Sequence, residues 1–176
     1  MGKPGSGGIF FVGLTFFLLG VLMVIAPASK NLSFSWNCEE YLKRAADSAS
    51  PEKCGEQLDL ALKYAKENGL TTGNTGIIWH TPKNDLSFWY ENLEKAREAL
   101  KEVENSGSES KTTALERSNV LIRVRETLLD GVNVTCPDSI SFFPNVLFMH
   151  ILLWIGIIFS FIGAIVVLAS LSPDRK

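Results

Sequence analysis

Two uninterrupted apolar runs, one at each end of a charged middle, limit what this chain can fold into. The first is IFFVGLTFFLLGVLMVIAPA, residues 9–28, without a charged side chain. The second is VLFMHILLWIGIIFSFIGAIVVLASL, residues 146–171, in which His150 is the only ionisable group. Twenty helical residues rise about 30 Å, the thickness of a hydrocarbon core. The expectation is therefore two transmembrane helices, 9–28 and 146–171, with one domain, 29–145, between them. Ala26-Pro27-Ala28 has the small-x-small form of a signal-peptidase site. The apolar run before it is longer than the roughly 7–15 residues of a signal core, so a retained anchor is expected.

Short flanking segments set orientation, with positive charge on the cytoplasmic side. Lys3 flanks the first run, and Arg175 and Lys176 flank the second. Tails 1–8 and 172–176 are then cytoplasmic, and 29–145 is extracytoplasmic, in a plasma or inner membrane. Tails this short leave almost no cytoplasmic mass, so a receptor of this shape would have nothing inside with which to signal. The middle holds 14 of the 17 basic and 18 of the 19 acidic residues, a net charge of −4. Such a domain has no basic footprint for nucleic acid and no polybasic patch for anionic lipid.

The middle reads as four helices, at about 37–48, 52–68, 84–105 and 112–130. In the second, Cys54, Leu58, Ala61, Leu62 and Ala65 form a stripe at helical spacing, and Asn68-Gly69-Leu70 is a C-cap signal. In the third, Leu86, Trp89, Leu93, Ala96, Leu100 and Val103 are spaced 3-4-3-4-3 like a coiled-coil seam. Its start is either Thr81 with Pro82 or Asn84. Arg97 is assigned with Glu94, Lys95 and Glu98 to a solvated face. In the fourth, Ala114, Leu121, Val124 and Leu128 make one apolar row, and Leu115, Ile122 and Leu129 make another beside it. A short polar connection makes the third and fourth an antiparallel hairpin. The fold class is all-α: two transmembrane helices flanking an extracytoplasmic four-helix up-down bundle with a long antiparallel helical hairpin.

An up-down path brings Thr71–Pro82 and Val132–Asn145 towards the membrane. There Ile77, Ile78, Trp79, Ile140, Phe142 and Phe143 either meet lipid headgroups or cap the core. A 12-residue connection between helices is longer than usual, and such loops often carry function. Thr71, Asn74, Ile77, Ile78, Trp79 and His80 form the candidate contact loop. Among the three cysteines, three arrangements compete: Cys38 with Cys136, favoured by topology; Cys38 with Cys54, favoured by proximity in sequence; and no bridge, with Cys54 part of the core. In the second anchor Gly156, Ser160 and Ala164 recur every four residues with Gly163 alongside. Small residues at that spacing permit close helix packing, either within the chain or on another subunit.

No metal-ligand spacing, phosphate-binding glycine loop or nucleophile motif is present, so neither a cofactor nor enzymatic activity is expected. The expected partners are the lipid bilayer and another membrane protein or a second copy. The expected role is a non-enzymatic structural or accessory subunit of a membrane complex. A homo-oligomeric membrane assembly and a ligand-binding or sensor module acting through a membrane partner are the alternatives.

Overall fold

The structure is a computed structural model that describes residues 6–106 and 114–172. Lys3, Arg175 and Lys176, on which the expected orientation rests, and the polar connection at 107–113 lie outside the described residues. The chain divides into two compact units: Met1–Asn31 with Leu147–Lys176, and Leu32–Val146.

The first unit is built from two apolar helices, α1 (Ser6–Phe34, 29 residues) and α6 (Val146–Leu171, 26 residues). Both are long and apolar enough to cross a membrane. Ala26-Pro27-Ala28 lies within α1, with Pro27 buried. The two helices touch backbone to backbone. A Cβ on Gly20 would collide with the Ser160 amide nitrogen and hydroxyl, and would lie 2.6 Å from the Gly156 carbonyl. A Cβ on Gly163 would meet Phe17 N and lie 2.7 Å from Gly13 O. Glycine at these positions is what lets the helices approach, as small residues do between packed membrane helices. Phe16 and Phe159 meet edge to face, with centroids 5.4 Å apart. Gly156, Ser160 and Gly163 are thus occupied inside the chain. Ala164, the fourth expected member, lines an apolar hollow together with Ser160, Phe17, Val21 and Phe161.

The second unit corrects the first expected domain helix. The helix beginning at Ser6 does not end at the apolar run. A π-helical turn, Ser35–Glu39, carries it into α2 (Glu40–Ala46). No glycine or proline lies between Ala28 and Ala46, so nothing in the sequence breaks it. The extra residue of a π turn rotates the helix beyond it, and Cys38, Leu42 and Ala45 all point into the core.

α3 (Pro51–Glu67) starts at Ser50, whose hydroxyl accepts from Lys53 N at 3.3 Å, with Pro51 in the first turn. α4 (Leu86–Ser106) buries its whole expected seam, from Leu86 to Val103. α5 (Ala114–Leu128) buries Val124 and Leu128; of the second apolar row Leu115 and Ile122 are exposed, and only Leu129, just beyond the helix, packs on the core. α5 also stops before 130. Leu129–Asp130 (β1) pairs antiparallel with Asn133–Val134 (β2) around Gly131 at φ +64°, a small exception to the all-α expectation. The two-residue loop is Gly131-Val132, and glycine with positive φ at its first position suits a tight hairpin turn, which accounts for the early stop. α3 packs on α2 and α4, α4 packs on α5, and α5 packs on α2. Their shared core runs from Phe34, Cys38 and Leu42 through Leu58, Trp89 and Leu93 to Leu128 and Ile140.

Arg97 is not solvated. Its side chain is 12% exposed and bridges Asp59 of α3 at 2.8 Å and Glu104 at 3.1 Å. Gly55 of α3 makes room for it, since a Cβ there would lie 2.7 Å from Arg97 Nη1. The guanidinium is held above its ordinary pKa, first by the hydrogen bond to Asp59.

Neither expected disulfide is present, and all three cysteines are free thiols. Cys54 sits near Arg97 and Glu104, whereas Cys38 and Cys136 lie near each other beside Glu39, with Cys136 Sγ 3.8 Å from Glu39 Oε1. Burial raises all three thiols, Cys54 to about 11 and Cys136 to about 12.

Candidate functional site

The loop between α3 and α4 is fixed at both ends by local chemistry. Asn68-Gly69-Leu70 ends α3 as expected. Gly69 takes φ +70° and donates to Lys66 O at 3.2 Å, and Leu70 N donates to Ala65 O at 2.8 Å. That pair of bonds is a Schellman closure, and it pins Leu70 in the core at 3% exposure. At the far end Asp85, not Asn84 or Thr81, caps α4. Its Oδ1 accepts from Ser87 N at 2.8 Å and from Phe88 N at 3.2 Å. Thr81 and Asn84 instead bracket a single 3-10 turn, Pro82–Asn84. The capping preference for Asp is as strong as that for Asn, so the sequence leaves this choice open.

The two ends are then tied to each other. Thr75 N donates to Asn84 O at 2.9 Å, and Leu86 N donates to Gly73 O at 3.0 Å. These bonds frame an antiparallel bridge between Asn74 and Asp85. Asn74 Oδ1 accepts from Gly76 N at 2.8 Å, an Asx turn that starts the tip. Gly73 has φ +115°, and a Cβ there would lie 2.8 Å from the Phe143 ring. The base of the loop is therefore seated on Phe143.

What this base holds up is apolar. Ile77 is 45% exposed, and Ile78 and Trp79 are each 77% exposed. His80 beside them is exposed and Thr71 is half-buried. In the second irregular segment Ile140 is buried and Phe143 packs on the core, with Val132 exposed at its start, while Ile77, Ile78 and Trp79 of the first are all exposed. Under the tip is a hollow of about 440 Å3 lined by Thr75, Ile77, Trp79, Thr81, Asn84 and Asp138. The Thr75 hydroxyl and Asn84 Oδ1 are buried there without a hydrogen-bond partner. Lys83 pairs with Asp138 at 3.2 Å, but both are well exposed, so the pair adds little stability.

What the loop presents is an exposed apolar surface. No cluster of metal-ligating side chains occurs among the described residues. The loop itself is legible from its length and composition. Its seat on Phe143, about seventy residues further along the chain, is not, because nothing local encodes that contact. Comparison with known families, with curated proteins and with solved structures returns no match for this chain.

Proposed function

We propose that this is a non-enzymatic two-pass membrane protein serving as a structural or accessory subunit of a membrane complex. In this reading the termini are cytoplasmic, and residues 29–145 form an outward-facing, up-down helical bundle whose Thr71–Pro82 loop is a contact surface. The observation that supports it is the exposed Ile77-Ile78-Trp79 tip on a hydrogen-bonded base. Monomeric proteins rarely hold contiguous large apolar residues in water, and such patches mark interaction sites. Cys38 and Cys136 belong to the same reading as the pair that bridges in an oxidising compartment. The step is thiol–disulfide exchange: both thiols give up their protons, one S–S bond forms between them, and the S–S bond of a donor disulfide breaks to give two thiols.

The homo-oligomeric alternative is weakened because Gly156, Ser160 and Gly163 already pack on α1. Chemical crosslinking in native membranes tests the choice. A single adduct with one other protein supports the accessory role. A ladder of its own multiples replaces it with self-assembly, and no adduct at all removes both.

A further inference from the structure

The exposed loop tip has an identifiable neighbour. We infer that Ile77, Ile78 and Trp79 lie in the interfacial layer of the bilayer that the chain's own apolar helices cross. This deepens the reading of the loop as a contact surface, and rests on it, by naming what is contacted.

Three observations carry the inference. First, the loop and the end of α3 lie beside both places where this unit's chain joins an apolar helix. Phe143, on which Gly73 sits, is three residues before the start of α6 at Val146. Near the C-terminal end of α3, the Tyr64 ring meets that of Phe34, the last residue of α1, in a tilted contact with centroids 6.2 Å apart. Second, Thr71–Pro82 contains no Asp, Glu, Lys or Arg, in a domain otherwise dense with them, and neither does Asn31–Cys38 or Ser139–Val146. Of the uncharged segments of this domain, Asn31–Cys38 and Ser139–Val146 adjoin the two junctions directly. Third, the residues left uncovered are of the right type. Tryptophan concentrates at the membrane–water boundary because its ring is apolar with one polar edge. A second exposed tryptophan, Trp36 at 66%, stands two residues beyond the end of α1.

A patch without cations predicts contact by partition of the side chains, not by attraction to anionic headgroups. The contact is therefore insensitive to the anionic lipid content.

The test uses the full chain in phosphatidylcholine vesicles. The Trp79 contribution to emission is taken as the difference between the protein and its Trp79→Phe variant. Lipids brominated near the headgroup should quench that difference more than lipids brominated at the chain end, with or without added phosphatidylserine. Quenching by aqueous iodide alone overturns the inference. A second variant, Ile78→Cys, is treated with a membrane-impermeant maleimide, and the label is located by peptide mass spectrometry. Leu115→Cys, on an exposed face of α5, is the accessible reference. Protection of position 78 in vesicles and in native membranes supports the lipid contact. Labelling in vesicles with protection in native membranes means a protein covers the tip, so the lipid inference fails and the contact surface stands. Labelling in both removes the contact surface as well.

Discussion

Replacing Trp89 and Trp79 by phenylalanine makes the same chemical change in opposite surroundings. Trp89 is 6% exposed, and its indole N–H donates to the Thr135 carbonyl at 2.9 Å, tying α4 to the segment after β2. Losing one partner of a buried hydrogen bond costs about 1–3 kcal/mol. Thr135 is itself exposed, so water replaces part of the bond, and the lower end applies. The smaller ring leaves a void worth about 1 kcal/mol more. The total is about 2 kcal/mol, and at about 4 °C per kcal/mol for a unit of this size the Tm falls by about 8 °C. Trp79 is 77% exposed and donates no such bond, so its substitution belongs with surface changes of about 0.5 kcal/mol or less. The assay is thermal unfolding of the full chain in one detergent, followed by near-ultraviolet circular dichroism. Equal shifts for the two variants, or the larger shift for Trp79→Phe, would refute the assignment of one ring to the core and the other to the surface.

Further outcomes rest on other contacts. Gly20→Val places a side chain against the backbone of α6, which cannot yield, so a Phe16→Cys/Phe159→Cys crosslink that forms in the parent should be lost; unchanged crosslinking would mean the helices do not meet there. Arg97→Met removes charge-assisted bonds to Asp59 and Glu104 and should cost about 1–3 kcal/mol in urea unfolding, discounted towards the low end because Asp59 is half-exposed. Lys95→Met, from the exposed pair with Glu91, should change stability by about 0.5 kcal/mol or less, and equal effects would contradict the burial of Arg97. The folded-state pKa values of Cys54 and Cys136 are raised above the ordinary thiol value of 9.0. Their contribution to stability is therefore complete below pH 9 and is lost as pH rises towards about 11 and 12; the Cys54→Ala, Cys136→Ala double variant should lose less stability over that window, and an identical decline would refute the burial of these thiols. Oxidation of the purified chain with a small-molecule disulfide should link Cys38 to Cys136, and a Cys38–Cys54 product on peptide mapping would contradict their placement.

The features legible in the sequence are those encoded within one helix. The α4 seam from Leu86 to Val103 and the Asn68-Gly69-Leu70 closure follow from periodicity and from the left-handed freedom of glycine. The features that escape it depend on partners elsewhere. Arg97 looks solvated because its own helix supplies Glu94 and Glu98 at surface spacing. Asp59 and the clearance over Gly55 come from α3, which no pattern on α4 records. Leu115 and Ile122 have core-like spacing, yet no element among the described residues covers them. The π turn escapes detection because a single extra residue resets the helical phase, and a fixed 3.6-residue template reads this as a new helix. For the candidate site, the uncharged loop and its apolar tip are visible in the sequence, whereas the seat on Phe143 requires the fold.

Native mass spectrometry of the tagged full chain, extracted in mild detergent, tests the central claim most directly. A membrane subunit that keeps both apolar helices should appear at the full mass of the 176-residue chain, bound at fixed stoichiometry to a different protein. A mass short by the residues up to Ala28 would contradict the two-pass reading, and a bare monomer or a multiple of its own mass would contradict the accessory role.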